Sequence, residues 1–255
     1  MAESLDASRE RLRPYVERAA SLQGVMFDAP SRPIGSVAPW DYMLRAVELV
    51  QSAHAVLDMG TGDGLRFSSI CGRNLQGFAV ATEEWATSAS IAAPLLRSLG
   101  ISLVRCWSQL LPFSSNTFDV VLNRHEELSP QEIVRVLRKD GSFLTQQWGA
   151  SWGEIRRFFP RIPAPAGDDF DEYVSEIQEA GLTVSDARRA NTLRAYDGVG
   201  DVVTMLLLDG SIIPDFDPLG SDLEAILDME HELTTPLGLL LSEGNFLIEA
   251  RRDYE

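Results

Sequence analysis

The stretch VLDMGTGDGLRFSSI, residues 56–70, constrains the fold more than any other part of this sequence. An apolar run ends at Asp58, glycines follow at positions 60, 62 and 64, and a helix-like segment begins after them. This order predicts a buried strand, a tight turn whose backbone can approach a ligand closely, and a helix. We therefore expect the opening strand–turn–helix unit of an α/β sheet.

Strand-like and helix-like segments alternate along the chain after this turn. The strand patterns are GFAVATE, ISLVRCW, FDVVLNR and SFLTQQW, followed by TVSDARRANTLRAY and NFLIEARR. The alternation predicts a doubly wound α/β fold, with a mostly parallel seven-stranded sheet, an antiparallel edge strand and helices on both faces. Ligands of such sheets bind outside the carboxyl ends of the strands.

Two segments carry the signals that begin a helix. In SPQEIVRVLRKDG, Ser129 is expected to cap the helix, Glu132 to complete a capping box, and Gly141 to end the helix. Ser221 and Glu224 form a second predicted capping box, in front of a helix over SDLEAILDMEHEL.

The expected domain organisation is a helical N-terminal cap over residues 1–45 and a main domain over residues 46–255. An apolar insertion lies around residues 197–240 within the main domain. The apolar side chains of the cap and the insertion either pack the helices onto the sheet or form a lid. A lid of this composition would favour an apolar or aromatic substrate.

The composition excludes several classes of protein. The 255 residues carry a formal net charge of −16, which opposes binding to nucleic acid phosphates. No apolar run reaches the roughly 18 residues that a membrane span needs. The charged start MAESLDASRERLRPY lacks the apolar stretch of a signal peptide, so we expect a cytoplasmic protein. Three scattered histidines and two cysteines predict neither a metal site nor a disulfide framework.

The glycine spacing differs from that of the dinucleotide-binding fingerprint. That fingerprint is G-x-G-x-x-G, whereas this chain has G-x-G-x-G with Leu65 at the next position. Glu83 follows the second strand, nineteen residues after Gly64, where an acidic residue binds ribose hydroxyls in nucleotide-binding folds. The alternative for Glu83 is an ordinary surface glutamate.

The segments VLDMGTGDG, VATE, LPFSSNTFDVVLNR and EIVRVLRKDGSFLTQQW together resemble the class I, Rossmann-like S-adenosylmethionine-dependent methyltransferases of the type 11 group. The resemblance covers roughly residues 46–148. It implies that the first strand and glycine turn hold the methionine part of the cofactor, and that the acid after the second strand holds the ribose. The cofactor-binding residues that it implies are Asp58, Gly60, Thr61, Gly62, Glu83, Glu84, Trp107, Ser108 and Asn123.

The sequence departs from this family at the adenine site. Many relatives carry an acid a few residues before LPF, and that position is Trp107 here. An indole has only a donor, so it can stack on adenine or form a wall but cannot accept the adenine hydrogen bond. Ser108, Gln109 or a backbone group would have to take over that contact.

The motif NRHE after the fourth strand is the candidate for chemistry. His125 has an ordinary pKa that suits proton abstraction near neutrality, so it is predicted to act as a base or to bind the substrate. The alternative is a structural polar cluster that caps the next helix. The Asn-Pro-Pro-Tyr motif of relatives that methylate the amino groups of bases is absent, since the chain reads Asn123-Arg124-His125.

These observations predict an S-adenosylmethionine-dependent O- or N-methyltransferase for a small, apolar or aromatic metabolite, without nucleic acid or membrane partners. A homodimer is compatible with the sequence. One alternative is an enzyme of the same fold that uses the cofactor without consuming it, in a cyclisation or rearrangement. A nucleic-acid methyltransferase and a non-enzymatic binding domain are two further alternatives.

Overall fold

The computed structural model describes residues 4–22, 29–72, 74–162, 169–210 and 212–253. Parts of the predicted cap (1–3 and 23–28) and residue 211 of the predicted insertion lie outside these ranges. The helices are α1 (Leu5–Ser21), α2 (Tyr42–Gln51), α3 (Leu65–Cys71), α4 (Ala86–Ser98), α5 (Pro130–Val136), α6 (Asp169–Glu179), α7 (Val199–Asp209) and α8 (Leu223–Leu233), with a 3-10 helix at Gly153–Arg157. The strands are β1 (Ser31–Ile34), β2 (Ala55–Met59), β3 (Phe78–Thr82), β4 (Ser102–Val104), β5 (Phe118–Arg124), β6 (Leu137–Trp148), β7 (Thr183–Tyr196), β8 (Thr234–Thr235) and β9 (Gly238–Arg251).

The chain divides into two compact units. The first unit comprises residues 1–37, 150–167 and 191–244, and the second comprises residues 38–149, 168–190 and 245–255. The expected boundary after residue 45, between an N-terminal cap and a main domain, stays a prediction. A lid function for the cap and the insertion also stays a prediction.

The second unit contains the doubly wound sheet that the sequence predicts. Its strands lie in the order β7-β9-β6-β5-β2-β3-β4. The central strands β6, β5, β2, β3 and β4 pair in parallel. β9 runs antiparallel to β6. The predicted antiparallel strand is therefore present, but it lies between β7 and β6 rather than at the edge of the sheet.

The alternation of side chains along β2 explains why helices cover both faces of this sheet. Val56 packs in a cluster with residues of α2, α3 and α4. Its neighbours Ala55 and Leu57 pack in a different cluster, with residues of α5 and α6. Successive side chains of a strand point to opposite faces, so a strand that is buried along its whole length needs a helix layer on each side.

The first unit has its own apolar core, formed by residues of α1, α7, α8 and the 3-10 helix. Most of the apolar side chains of α7, including Val202, Val203 and Leu206, are fully buried in this core. α1 approaches α7 closely at Gly200, where any Cβ would collide with the ring of Tyr15. The apolar side chains of the predicted insertion therefore pack within this unit.

The described residues form nine strands, so the prediction of seven was wrong. The two strands that the sequence did not reveal are short: β1 pairs antiparallel with β7, and β8 pairs antiparallel with β9. Both lie in the first unit, where the pattern of apolar residues is too short to indicate a strand.

The helix after Ser129 differs from the prediction at its end and in the role of Glu132. The helix that begins after Ser129 ends at Val136 rather than at Gly141, because Leu137 already pairs with Phe118 of β5. Ser129 does cap this helix, whereas the carboxylate of Glu132 accepts a hydrogen bond from Leu111 N and pairs with Arg135.

The predicted capping box at Ser221 does not form. The N-cap of α8 is Asp222, whose carboxylate is held by Arg161 through two hydrogen bonds of 2.7 and 2.6 Å. This long-range ion pair, between residues 61 positions apart, fixes where the helix begins.

The third glycine of the turn is required by packing as well as by its backbone. Gly64 has a φ of 79°, and an added Cβ would lie 3.1 Å from Ala92 Cβ and 3.2 Å from Leu96 Cγ of α4. Gly100 has a similar φ of 74° with open space around it.

We expect Gly100→Ala to lower the free energy of unfolding by about 1–2 kcal/mol because of its left-handed backbone. Gly64→Ala should lower it clearly more, since α4 must shift as well. Urea unfolding of the two variants checks this, and equal losses of stability would contradict the packing role.

Candidate functional site

The parallel pairing of β2 with β3 and β5 brings the candidate site residues to one edge of the sheet. Asp58 lies opposite Ala81 of β3 and Leu122 of β5, and Met59 lies opposite Asn123. The carboxyl ends of all three strands are therefore level. The glycine turn, Glu83 and the NRHE segment follow these ends directly, as the sequence predicts.

The glycine turn is held by its own backbone and by Glu83. Gly60, Gly62 and Gly64 all have φ values between 61° and 79°, which L side chains rarely adopt. Thr61 N donates to Thr82 O at 2.9 Å, and Gly62 N donates to Glu83 Oε2 at 2.8 Å. The first interaction links the turn to β3, and the second links it to the predicted ribose-binding acid.

Glu83 is buried and uses both carboxylate oxygens within the protein. Oε2 accepts the Gly62 amide, and Oε1 accepts the amide of Trp85 at 2.8 Å. Burial raises the pKa of Glu83, and the backbone amides partly offset this increase. Binding of ribose hydroxyls by this carboxylate stays a prediction.

Asp58 is the most strongly perturbed acid of this edge. Only 8% of the residue is exposed, and burial raises its pKa from 3.8 to about 7. Thr61 opposes the increase, whereas the negative charges of Glu83 and Glu126 add to it. The neutral form of Asp58 is therefore populated at pH values at which a free aspartate is fully ionised.

Glu126 belongs to the same cluster, although the sequence analysis assigned no cofactor contact to it. Its side chain lies across Gly60, and Oε1 accepts a hydrogen bond from the Ser108 hydroxyl at 2.8 Å. Burial raises the pKa of Glu126, and the charges of Glu83, Glu84 and Glu127 raise it further. The available signal was a glutamate three residues after Asn123, at the open end of the fourth predicted strand. We call Asp58, Glu83 and Glu126 the acidic cluster.

Asn123 is fully buried and holds the turn that carries Glu126. Its Oδ1 accepts from the Thr145 hydroxyl at 2.9 Å and from Gln147 Nε2 at 2.5 Å. Its Nδ2 donates to Glu126 O at 3.2 Å, and Gln147 Nε2 also donates to Glu126 O. These contacts position the Glu126 backbone. The predicted contact of Asn123 with a cofactor stays a prediction.

His125 sits in an environment that works against a base role. Its ring stacks on Trp148 with centroids 4.2 Å apart, and neither ring nitrogen has a hydrogen-bond partner among the described residues. Burial lowers the pKa of His125 to about 2, and the positive charges of Arg124 and Arg66 lower it further. The imidazole is therefore neutral at physiological pH, and its protonated form is strongly disfavoured.

Two buried hydroxyl groups make no hydrogen bond of regular geometry within the described part of the chain. They are the hydroxyls of Tyr42, a residue 5% exposed, and of Thr61. The Thr61 hydroxyl nevertheless interacts with Asp58, and the Tyr42 hydroxyl with the backbone of Asn123. Tyr42 is the first residue of α2, and burial raises the pKa of its hydroxyl, with a further increase from the negative charge of Asp58. A buried hydroxyl without a well-formed hydrogen bond lowers the free energy of unfolding. A ligand that forms hydrogen bonds with these hydroxyls would therefore bind more tightly.

The remaining predicted residues divide between the cluster and its rim. Ser108 is buried against Glu126, as described above. Trp107 is 65% exposed, and Glu84 is also exposed, with its carbonyl accepting from Arg105. Trp85 and Trp107 each follow the last paired residue of their strands, Thr82 and Val104, by three positions. Exposed indoles therefore follow the ends of both strands.

Two surface grooves of the second unit lie away from the acidic cluster. One, of about 470 Å³, is lined by Trp40, Arg45, Arg188 and Glu249 among others. The other, of about 650 Å³, lies along α4 and the edge strand β4. Within the described ranges, no group of three His, Cys, Asp or Glu side chains is arranged to hold a metal ion. None of the helices in these ranges is long and apolar enough to cross a membrane.

Comparison with solved structures identifies the fold. A Deinococcus radiodurans R1 protein of unknown function matches with a TM-score of 0.64 and 16% identity, over 94% of this chain and 99% of that chain. A proposed methyltransferase from Bacillus halodurans C-125 matches with a TM-score of 0.57 and 14% identity, over 83% and 97%. The cyclase SpnF matches with a TM-score of 0.55 and 14% identity, over 96% and 93%.

These likenesses concern the fold, because the sequences are less than one fifth identical. They confirm the Rossmann-like fold of the class I methyltransferases, to which the sequence resemblance pointed. No protein-family model and no curated protein sequence matches the chain.

The raised pKa of Asp58 predicts a specific dependence of stability on pH. Because folding raises this pKa from 3.8 to about 7, the folded protein binds more protons than the unfolded protein between these values. The contribution of Asp58 to stability is therefore present below about pH 4 and is lost as the pH rises through about 7. Asp58→Asn removes this loss.

We expect the free energy of unfolding of Asp58→Asn, minus that of the wild type, to increase from pH 4 to pH 7 and to level off above pH 8. Urea unfolding across this range measures the difference, and titrating groups that do not interact with Asp58 cancel because they are common to both proteins. A difference that stays constant with pH would show that Asp58 is not perturbed.

Proposed function

We propose that this chain is an S-adenosylmethionine-dependent methyltransferase that acts on a small apolar or aromatic metabolite by O- or N-methyl transfer. The observation that carries the proposal is the acidic cluster, together with the buried Thr61 and Tyr42 hydroxyls, which make no hydrogen bond of regular geometry within the described residues. The cluster surrounds a glycine turn at the carboxyl edge of a sheet whose fold is that of the class I methyltransferases.

The chemistry of these residues fits the cofactor. S-adenosylmethionine carries two positive groups, a sulfonium and an ammonium, together with a carboxylate, hydroxyls and an adenine ring. The charged neighbours that shift the pKa of Asp58 and Glu126 are themselves carboxylates. A cationic ligand would relieve this repulsion, and hydroxyls such as those of Tyr42 and Thr61 suit the polar groups of an amino acid moiety.

Each part of the edge has a distinct proposed task. The cofactor would supply the methyl group from its sulfonium, in an in-line displacement that depends mainly on positioning. Asp58 and Glu126 would face the positive groups, and Glu83 would hold the ribose hydroxyls. Trp85 and Trp107 would flank the adenine, with Ser108 and Gln109 as polar groups nearby.

The substrate side is proposed to lie at the ends of β5 and β6. Trp148 is 45% exposed and stacks on His125, so an apolar surface adjoins a buried, neutral imidazole. A neutral imidazole can accept a hydrogen bond from an acceptor hydroxyl or amine, which would orient the nucleophile. Its low pKa makes orientation a better task for His125 than the removal and retention of a proton.

The alternative of a cofactor that is bound but not consumed has no support of its own. The likeness to SpnF is 14% in sequence and concerns the fold, which hosts different reactions. Release of S-adenosylhomocysteine in the presence of substrate separates the two functions.

The proposal predicts that the purified protein binds S-adenosylmethionine and S-adenosylhomocysteine, and does not bind NAD. Glu83→Ala should weaken binding of both adenosyl ligands at least about tenfold, because charged hydrogen bonds are each worth about 1.5–3 kcal/mol. Isothermal titration calorimetry measures the three affinities.

Glu179→Ala is the matched control, since it removes an exposed carboxylate from α6. Its affinities should equal those of the wild type. If neither adenosyl ligand binds the wild type, or if NAD alone binds, the proposed function is wrong.

A further inference from the structure

The surface of the glycine turn at Gly60 is covered by a carboxylate of the protein itself. Glu126 Oε2 lies 2.5 Å, and Glu126 Cβ 2.6 Å, from the position that a Cβ on residue 60 would take. Only glycine fits under this side chain. A ligand that approaches the turn at Gly60 therefore meets the Glu126 carboxylate first.

The position of Glu126 is built into the fold. His125 has a φ of 56° and its amide donates to Gln146 O, so the chain turns sharply after β5. Asn123 Nδ2 and Gln147 Nε2 both donate to the Glu126 carbonyl, and the Ser108 hydroxyl donates to its carboxylate. These contacts hold both the backbone and the side chain of Glu126 at the turn.

A second observation points to a ligand at the same place. The hydroxyls of Tyr42 and Thr61 are buried and make no hydrogen bond of regular geometry with the described residues, and the Thr61 hydroxyl interacts with Asp58. Asp58 in turn is within the electrostatic reach of Glu126. The poorly satisfied hydroxyls of Tyr42 and Thr61 indicate a ligand with hydrogen-bonding groups. The mutual repulsion of the Asp58 and Glu126 carboxylates indicates a ligand with positive charge.

We propose that Glu126 is a specificity-determining residue that recognises the positive charge of the sulfonium, so that the site distinguishes S-adenosylmethionine from its neutral-sulfur product. This inference rests on the proposed function. The two ligands share adenine, ribose and amino acid groups and differ by one methyl group and one positive charge at sulfur. A group that discriminates between them must therefore act mainly on that charge.

The geometry favours Glu126 over the other acids for this role. Both carboxylate oxygens of Glu83 are already bonded to backbone amides, at Gly62 and Trp85. The Glu126 carboxylate accepts a hydrogen bond from the Ser108 hydroxyl at its Oε1, whereas its Oε2 lies against Gly60. Methyl transfer removes the positive charge from the cofactor sulfur. The electrostatic attraction to Glu126 would then weaken, which would favour release of S-adenosylhomocysteine.

The test is the effect of Glu126→Gln on the two affinities, measured by isothermal titration calorimetry. We expect the affinity for S-adenosylmethionine to fall about tenfold, since an opposite charge nearby is worth about one pKa unit or more. The affinity for S-adenosylhomocysteine should stay within about twofold. The ratio of the two dissociation constants then shifts by roughly the same factor of ten.

Glu127→Gln is the matched control, because it removes the neighbouring exposed carboxylate, which bonds to Gln109. It should leave the ratio of dissociation constants within about twofold, since exposed charges are screened. If Glu126→Gln does not fold, Glu126→Ala gives the same readout, because it removes the side chain above Gly60 and inserts nothing.

Two outcomes overturn the inference while the proposed function stands. In the first, both affinities fall together, which would make Glu126 a purely structural residue. In the second, neither affinity changes. Failure of the wild type to bind either ligand would instead refute the proposed function itself.

Discussion

The parallel pairing of β2 with β3 and β5 is the constraint on which the candidate site depends. It places Asp58 level with Ala81 and Leu122, so that the segments after three strands meet at one edge. Helices on both faces bury β2 along its whole length, and the side chains at the carboxyl ends of these strands are poorly solvated. Acidic residues that are far apart in the chain are thereby forced close together in a poorly solvated environment.

This arrangement shifts the pKa values of the acidic residues at the edge of the sheet. Burial and mutual repulsion raise the pKa of Asp58, Glu83 and Glu126, and only some of their oxygens are compensated by amides and hydroxyls of the protein. The neighbouring His125 shows the opposite shift, because burial and two arginines disfavour its cation. The proposed binding of a positively charged cofactor at the glycine turn would relieve the repulsion among these acids, whereas the imidazole beside them stays neutral.

Local sequence signals were sufficient for the parts of the site that depend on neighbouring residues. The strand–glycine–helix unit around residue 60 and the acid at Glu83 follow from spacing and alternation alone. The opposite directions of Gln146 and Gln147 also follow from alternation, and Gln146 indeed bonds to Trp40 while Gln147 bonds to Asn123.

Contacts between distant residues could not be predicted in this way. Glu126 covers Gly60 from 66 positions along the chain, and Asn123 is satisfied by Thr145 and Gln147, 22 and 24 positions away. The early end of α5 has the same origin, since strand pairing at Leu137 overrides a sequence that favours helix. The low pKa of His125 likewise depends on its burial and on the charge of Arg66, 59 positions away, which residue type does not reveal.

The most direct test of this account is the number of protons released when S-adenosylmethionine binds. Calorimetric titration at pH 6.5, in buffers with different ionisation enthalpies, gives this number. A positive ligand beside the acidic cluster should lower the pKa of these groups, so we predict net proton release, with less release for S-adenosylhomocysteine. Binding of S-adenosylmethionine without proton release, or with proton uptake, would contradict the claim that the cluster receives the charge of the cofactor.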